Sequence, residues 1–156
     1  FNHTAGIAII SEDLPEQHNR VVLDNVNKDS FGLPGVKIHY EMSDNTKKIL
    51  KHGIKMSKEI FSLAGAKVTS TLAPVRNSGW HLMGTARMGS NPKTSVVNKY
   101  GQSHEVKNIF IVDSSVFVTS GAVNPVATAQ AISLFSCDYI RENMSNISNI
   151  LHIYDQ

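Results

Sequence analysis

Ser78-Gly79-Trp80-His81-Leu82-Met83-Gly84-Thr85-Ala86-Arg87-Met88-Gly89 is the stretch on which the reading of this chain turns. Its glycines interrupt any helix or strand period, and its single imidazole stands among Trp80, Leu82 and Met83. Further along, Gly121-Ala122-Val123-Asn124-Pro125-Val126-Ala127-Thr128 opens an apolar helix. Between the two, Asn108-Ile109-Phe110-Ile111-Val112-Asp113 is an apolar run that ends on a carboxylate. The whole span from Val68 to Ser95 lacks a sustained period, and a long irregular stretch inside a compact domain is more often functional than filler.

Toward the N-terminus, Gly6–Ile10, Arg20–Leu23 and Val36–Tyr40 read as short strands, the last with period-two alternation. Ser11–Pro15 and Phe31–Gly35 are the breakers between them. Ser43 or Asp44 is placed to cap a helix in which Ile49, Ile54, Met56, Ile60, Phe61 and Leu63 recur at helical spacing, and Gly65 is its stop. Toward the C-terminus, Ser95–Val97 and Ile109–Val112 read as strands around a Tyr100-Gly101-Gln102 turn. Asn124-Pro125 starts the last helix, with Ala127, Ala131, Ile132, Leu134, Phe135, Tyr139 and Ile140 inside. The polar, Asn-rich 144–156 is expected to be a mobile tail or a short extra helix. The fold class expected is α+β: antiparallel strands with a packed helix, then a strand and a C-terminal helix.

With 156 residues, 41% hydrophobic and 18% charged, the chain is that of a soluble globular domain able to bury a core. A net charge of +2 without a cluster of Lys and Arg points away from nucleic acid and anionic membranes. Runs such as Ile109–Val112 are far too short to be transmembrane segments. The chain opens at Phe1 and reads as strand by Gly6, so its true N-terminus is expected upstream and its compartment is left open. Cys137 is the single cysteine, which excludes an internal disulfide, and it reads as a small buried thiol. No Cys-x-x-Cys or His-x-x-x-His spacing suggests a metal. His18, His39 and His52 read as surface or hydrogen-bonded residues.

Taken in this order, the three quoted runs resemble the C-terminal part of the glucose–methanol–choline (GMC) family of FAD-dependent alcohol oxidoreductases, nearest to its pyranose oxidase and gluconate dehydrogenase-like members. The resemblance is dense from Trp80 to Tyr139. It implies FAD as cofactor, and a small-molecule alcohol or sugar as substrate. The family includes oxidases and dehydrogenases, so the electron acceptor stays open. Oxidising a CH–OH group requires a base for the hydroxyl proton, and imidazole is the side chain that exchanges protons near neutrality. His81 matches the family's first catalytic His. The resemblance makes Asn124 the second catalytic group, a neutral hydrogen-bonding partner that fixes the hydroxyl. It also makes Asp113 and Ser114 cofactor contacts, along with Asn124, Pro125 and Val126 at a helix start that favours negative charge. Arg87 reads as a loop clamp or internal ion pair.

The family's strand, Gly-x-Gly-x-x-Gly and helix are absent from the sequence. The resemblance therefore implies a missing N-terminal FAD-binding portion, with this chain a fragment of roughly the last quarter to third of an enzyme. In that reading residues 1–75 are part of a substrate-binding domain, 76–143 hold the catalytic loop and the returning FAD-domain strand and helix, and 144–156 form the tail. The alternative is a non-catalytic binding or accessory domain, in which His81 is a core residue held by a backbone carbonyl and Asn124 only caps the last helix. A Gly-x-Gly-x-x-Gly encoded upstream in the same frame favours the enzyme.

Overall fold

The computed structural model describes residues 3–75 and 78–151. The division expected at residue 76 falls at a position outside them. Two antiparallel strands, β1 (Arg20–Lys28) and β2 (Pro34–His39), form the sheet, with Val21 opposite Ile38 and Leu23 opposite Val36. The Asp29 carboxylate accepts from the N–H groups of Phe31 at 2.8 Å and Leu33 at 2.9 Å, while Gly32 takes φ +82°, and together these close the connection. A bulge lies between Asp24 and Lys28, where the Asp24 carboxylate binds the N–H groups of Val26 and Asn27 and the Asn27 amide.

Helix α1 (Asp44–Leu63) begins and ends where its local signals place it. Ser43 Oγ accepts from Thr46 N at 3.1 Å. At the far end Ala66 N donates to Phe61 O and Gly65 N to Ser62 O, with Gly65 at φ +81°. This pair of bonds satisfies carbonyls that the helix itself leaves open.

Gly6–Ile10 is not a strand: it has no ladder partner among the described residues. Ile9 instead packs on α1 at Gly53, where a Cβ would come within 2.8 Å of Ile9 Cγ2. The apolar alternation read as a strand is used against a helix.

The strands expected at Ser95–Val97 and Ile109–Val112 are reduced to isolated bridges, Met88 to Val97, Val97 to Ser103 and Gln102 to Phe110. Val97 and Val116 are the buried apolar residues of this half. Helix α2 (Val126–Leu151) crosses it and takes in residues 144–151 of the expected tail; 152–156 lie outside the described residues. One stripe of α2 packs on the chain. Ser133 Oγ donates to Val112 O, Ser136 is fully buried, and Tyr139 stacks on Tyr100 with ring centroids 3.8 Å apart. Cys137 lies off that stripe and is exposed, which corrects the expectation of a buried thiol. No helix among the described residues is long and apolar enough to cross a membrane.

Gly101 is where α2 meets the turn. Its φ is +74°, and a Cβ there would run into Ile111 O and lie 3.3 Å from Ser136 Oγ. Gly101→Ala combines strain at positive φ with a backbone clash and is expected to cost about 2–3 kcal/mol, read as a lower urea midpoint at unchanged slope.

The accessible surface is 12,456 Å². A compact monomer of 17.1 kDa exposes about 7,800 Å². Much of the excess is apolar: Val21, Leu23, Val36 and Ile38 on one face of the sheet are 47% to 70% exposed, and Leu134 and Phe135 of α2 are also open. A helix that is apolar on several sides is normally covered on several sides.

Candidate active site

The loop that carries His81 is held at its C-terminal side by main-chain bonds. Gly84, Ala86 and Met88 donate to the carbonyls of Ser114, Ser115 and Val116 at 3.3, 2.9 and 2.9 Å. Gly84 adopts φ +83° at the start of this alignment. On the other side Val96 N donates to Arg87 O, and Arg87 Nε to Thr94 O at 2.7 Å, so Arg87 is a loop clamp through a carbonyl rather than an ion pair.

Behind the loop, Ser114–Val116 is a short 3-10 turn capped by Asp113, whose carboxylate accepts from Ser115 N at 2.8 Å. The Ser115 hydroxyl beside it and that N–H together hold the Asp113 carboxyl below its ordinary range. In this structure, then, Asp113 and Ser114 hold the His81 loop in place.

His81 is half-buried, and its ring forms no hydrogen bond with the described residues. The bond to a backbone carbonyl that the structural alternative expects is not found among the described residues. Trp80 and Leu82 are 79% and 75% exposed, so the apolar enclosure expected from the sequence is not closed by its own neighbours. His81 lines a cavity of 640 Å³, a size suited to a small organic molecule. Leu82–Thr85 and Phe117–Ser120 form one wall, with Ala122 and Val123; residues of the segment before β1 and of the end of β2 form the other.

Ala122 has φ +53°, a left-handed conformation that costs a residue with a side chain energy and tends to persist where function holds it. The strained turn lies between the cavity wall and α2. Asn124 follows it and is exposed, and it does not line the cavity. The first bond of α2 runs from Ala129 N to Pro125 O, at 2.9 Å. Pro125 is therefore the capping position, with Asn124 one residue ahead of it. The Asn124 side chain makes no hydrogen bond with the described residues, in contrast to Ser43 at the head of α1. The N–H groups of Val126, Ala127 and Thr128 likewise find no acceptor among them. His81 and the residues just before Asn124 are thus brought to one cavity; Asn124 itself, Asp113 and Ser114 stand outside its lining.

Sequence reasoning missed the opposite wall. Asp13 accepts from Tyr40 Oη at 2.6 Å and Thr46 Oγ1 at 2.9 Å, and Asn19 exchanges two hydrogen bonds with the backbone of Glu41. Burial, followed by the bond and charge of Asp13, pushes the Tyr40 phenol up to about 12. A raised phenol favours the folded state below its unfolded pKa and loses that contribution as pH rises through the raised value, so this contact stays protonated across the neutral range. No local pattern marks these pairs, whose partners are 22 to 33 residues apart.

Comparison with known proteins gives a consistent result. Residues 15–133 match the family described as GMC oxidoreductase. The 2-methyl-1,2-propanediol dehydrogenase of Mycolicibacterium austroafricanum is 40% identical over 148 residues, 94% of this chain and 27% of that protein. The gluconate 2-dehydrogenase flavoprotein of Pantoea cypripedii is 27% identical over 150 residues, 91% of this chain and 24% of its own. Among solved structures, pyridoxine 4-oxidase from Mesorbium loti superposes with a TM-score of 0.55 at 22% identity, covering 72% of this chain and 26% of that one, which is a likeness of fold. The chain spans about a quarter of the length of the curated relatives it matches.

Proposed function

The chain belongs to the GMC oxidoreductase family, and from that premise we propose that it forms the substrate-facing C-terminal part of an FAD-dependent enzyme that oxidises the CH–OH group of a polyol, sugar or related alcohol. The observation that carries this reading is the His81 ring, without a hydrogen bond among the described residues, on a cavity-lining loop whose C-terminal side, Gly84–Met88, is pinned by main-chain bonds. A base needs a lone pair that nothing else has taken and a fixed position. His81 takes the hydroxyl proton of the alcohol. The family resemblance assigns the second bond to that oxygen to Asn124, which follows the cavity-lining Ala122 and Val123 but is itself outside the lining; since Pro125 is the capping residue, the helix does not occupy this amide.

FAD, when bound, accepts the hydride at N5. The residues present suit one part of that group. Three open N–H groups at the start of α2, behind a strained turn, favour an electron-rich edge. Asp113 and Ser114 belong to the same stretch of backbone. The phosphate cradle comes from sequence outside this chain, since no Gly-x-Gly-x-x-Gly occurs in it. The same missing portion covers the open faces of the sheet and α2. One supporting likeness is the relative named as a flavoprotein, another the relative named for a diol.

The test is the visible spectrum of the intact protein. It is expected to show bound flavin that bleaches when a polyol is added anaerobically. Absence of flavin, or no bleaching by any alcohol, would overturn the reading.

A further inference from the structure

The two walls of the cavity differ in charge. The His81 side mixes Leu82, Met83 and Phe117 with Thr85, Arg87 and Lys93. The facing side mixes Ile10, Leu14 and Ile38 with polar residues, and the carboxylate-bearing lining residues, Asp13 and Glu16, are both on it.

The segment that supplies much of that facing wall is stapled at both ends. At one end Asp13 is held by Tyr40 at the close of β2 and by Thr46, a 4%-exposed residue in the first turn of α1. At the other, Asn19 Nδ2 donates to Glu41 O at 3.0 Å and Asn19 Oδ1 accepts from Glu41 N at 2.7 Å. Asn19 N donates to Glu16 O at 3.0 Å, which makes a turn of the residues between. A surface segment with two such anchors, tied to a strand and a helix, keeps its shape.

Asp13 is occupied by its two hydroxyl donors. Glu16 is not: it is half-buried, it lines the cavity, and its carboxylate has no hydrogen bond or ion pair among the described residues. A carboxylate without a donor, on a residue that lines a cavity, is an acceptor open to a ligand.

We propose that the stapled segment Asp13–Asn19 is the specificity wall of this site, and that Glu16 accepts a hydrogen bond from a substrate hydroxyl other than the one oxidised. The substrate class is then a diol or polyol rather than a simple alcohol. Its reacting carbinol lies against His81 and its second hydroxyl against Glu16. Tyr40 is a positioning residue that acts through Asp13. The inference rests on the function proposed above and adds to it the class of substrate.

It is tested in the intact, flavin-loaded protein by comparing kcat and KM for 1,2-propanediol and glycerol with those for 1-propanol. Glu16→Ala is expected to lower the preference for the polyols over 1-propanol by about tenfold, the worth of one hydrogen bond to a charged group, and to do so through KM. Glu16→Gln keeps the side-chain size and a neutral acceptor, so it gives an intermediate preference even where the Ala variant folds poorly. Tyr40→Phe shifts the polyol KM in the same direction with flavin content retained. Unchanged preference in both Glu16 variants, or a loss confined to kcat, overturns the specificity wall alone. If the unsubstituted protein oxidises none of these alcohols, the function reading falls and this inference with it.

Discussion

His81→Ala is expected to slow the proposed alcohol oxidation by about 10² to 10⁴ in the intact protein, the range that a positioned general base contributes. The structure also makes the substitution easy to interpret. The ring is half-buried and bonded to none of the described residues, so its removal orphans no buried donor or acceptor. The melting temperature should therefore stay near that of the parent while the rate collapses. Stopped-flow flavin reduction and thermal melting read both effects. A variant that reduces at the parent rate would assign the proton to another group.

At Asn124 the expected loss has a different origin. Asn124→Ala should slow the reaction by about 10² through lost orientation. Its effect on stability should be small. A true N-cap costs about 1 kcal/mol when replaced by Ala, but here the capping carbonyl is that of Pro125 and the Asn124 amide is unengaged. Asn124→Asp introduces negative charge where an electron-rich cofactor edge is proposed to sit, and should slow reduction further, although Asp caps a helix as well as Asn does. An Asp variant with parental kinetics would argue against the catalytic role, and an Ala variant that is strongly destabilised would argue for capping. The two measurements together separate the roles that one amide could play.

What was legible in the sequence is what local chemistry decides. Ser43 and Gly65 bracket α1 because a cap hydroxyl and a left-handed stop act within a few residues of themselves. The hairpin from Arg20 to His39 was readable from its breakers and its alternation, although the bulge at Asp24 carried β1 past Leu23 to Lys28. Gly6–Ile10 misled because alternation does not name the surface it packs on, and Gly53 offered Ile9 a helix instead of a strand. Ser95–Val97 and Ile109–Val112 have strand-like composition but pair through single bridges, since the described residues supply no longer neighbour for them.

The site divides in the same way. His81 stood out through the motif around it, and the strained turn at Ala122 lay inside a quoted run without being singled out. The facing wall was invisible: Asp13, Tyr40 and Thr46 meet only through the tertiary fold, and nothing near any of them announces the others.

The open apolar face of the hairpin and α2 has a thermodynamic consequence. Removing that much hydrocarbon from water releases ordered solvent and lowers the heat capacity of the system. Docking of whatever covers Val21, Leu23, Val36 and Ile38 must therefore grow more exothermic with rising temperature and weaken in the cold. Where that cover is the rest of the same polypeptide, the packing is intramolecular, and its hydrophobic part should strengthen on warming from refrigerator to room temperature.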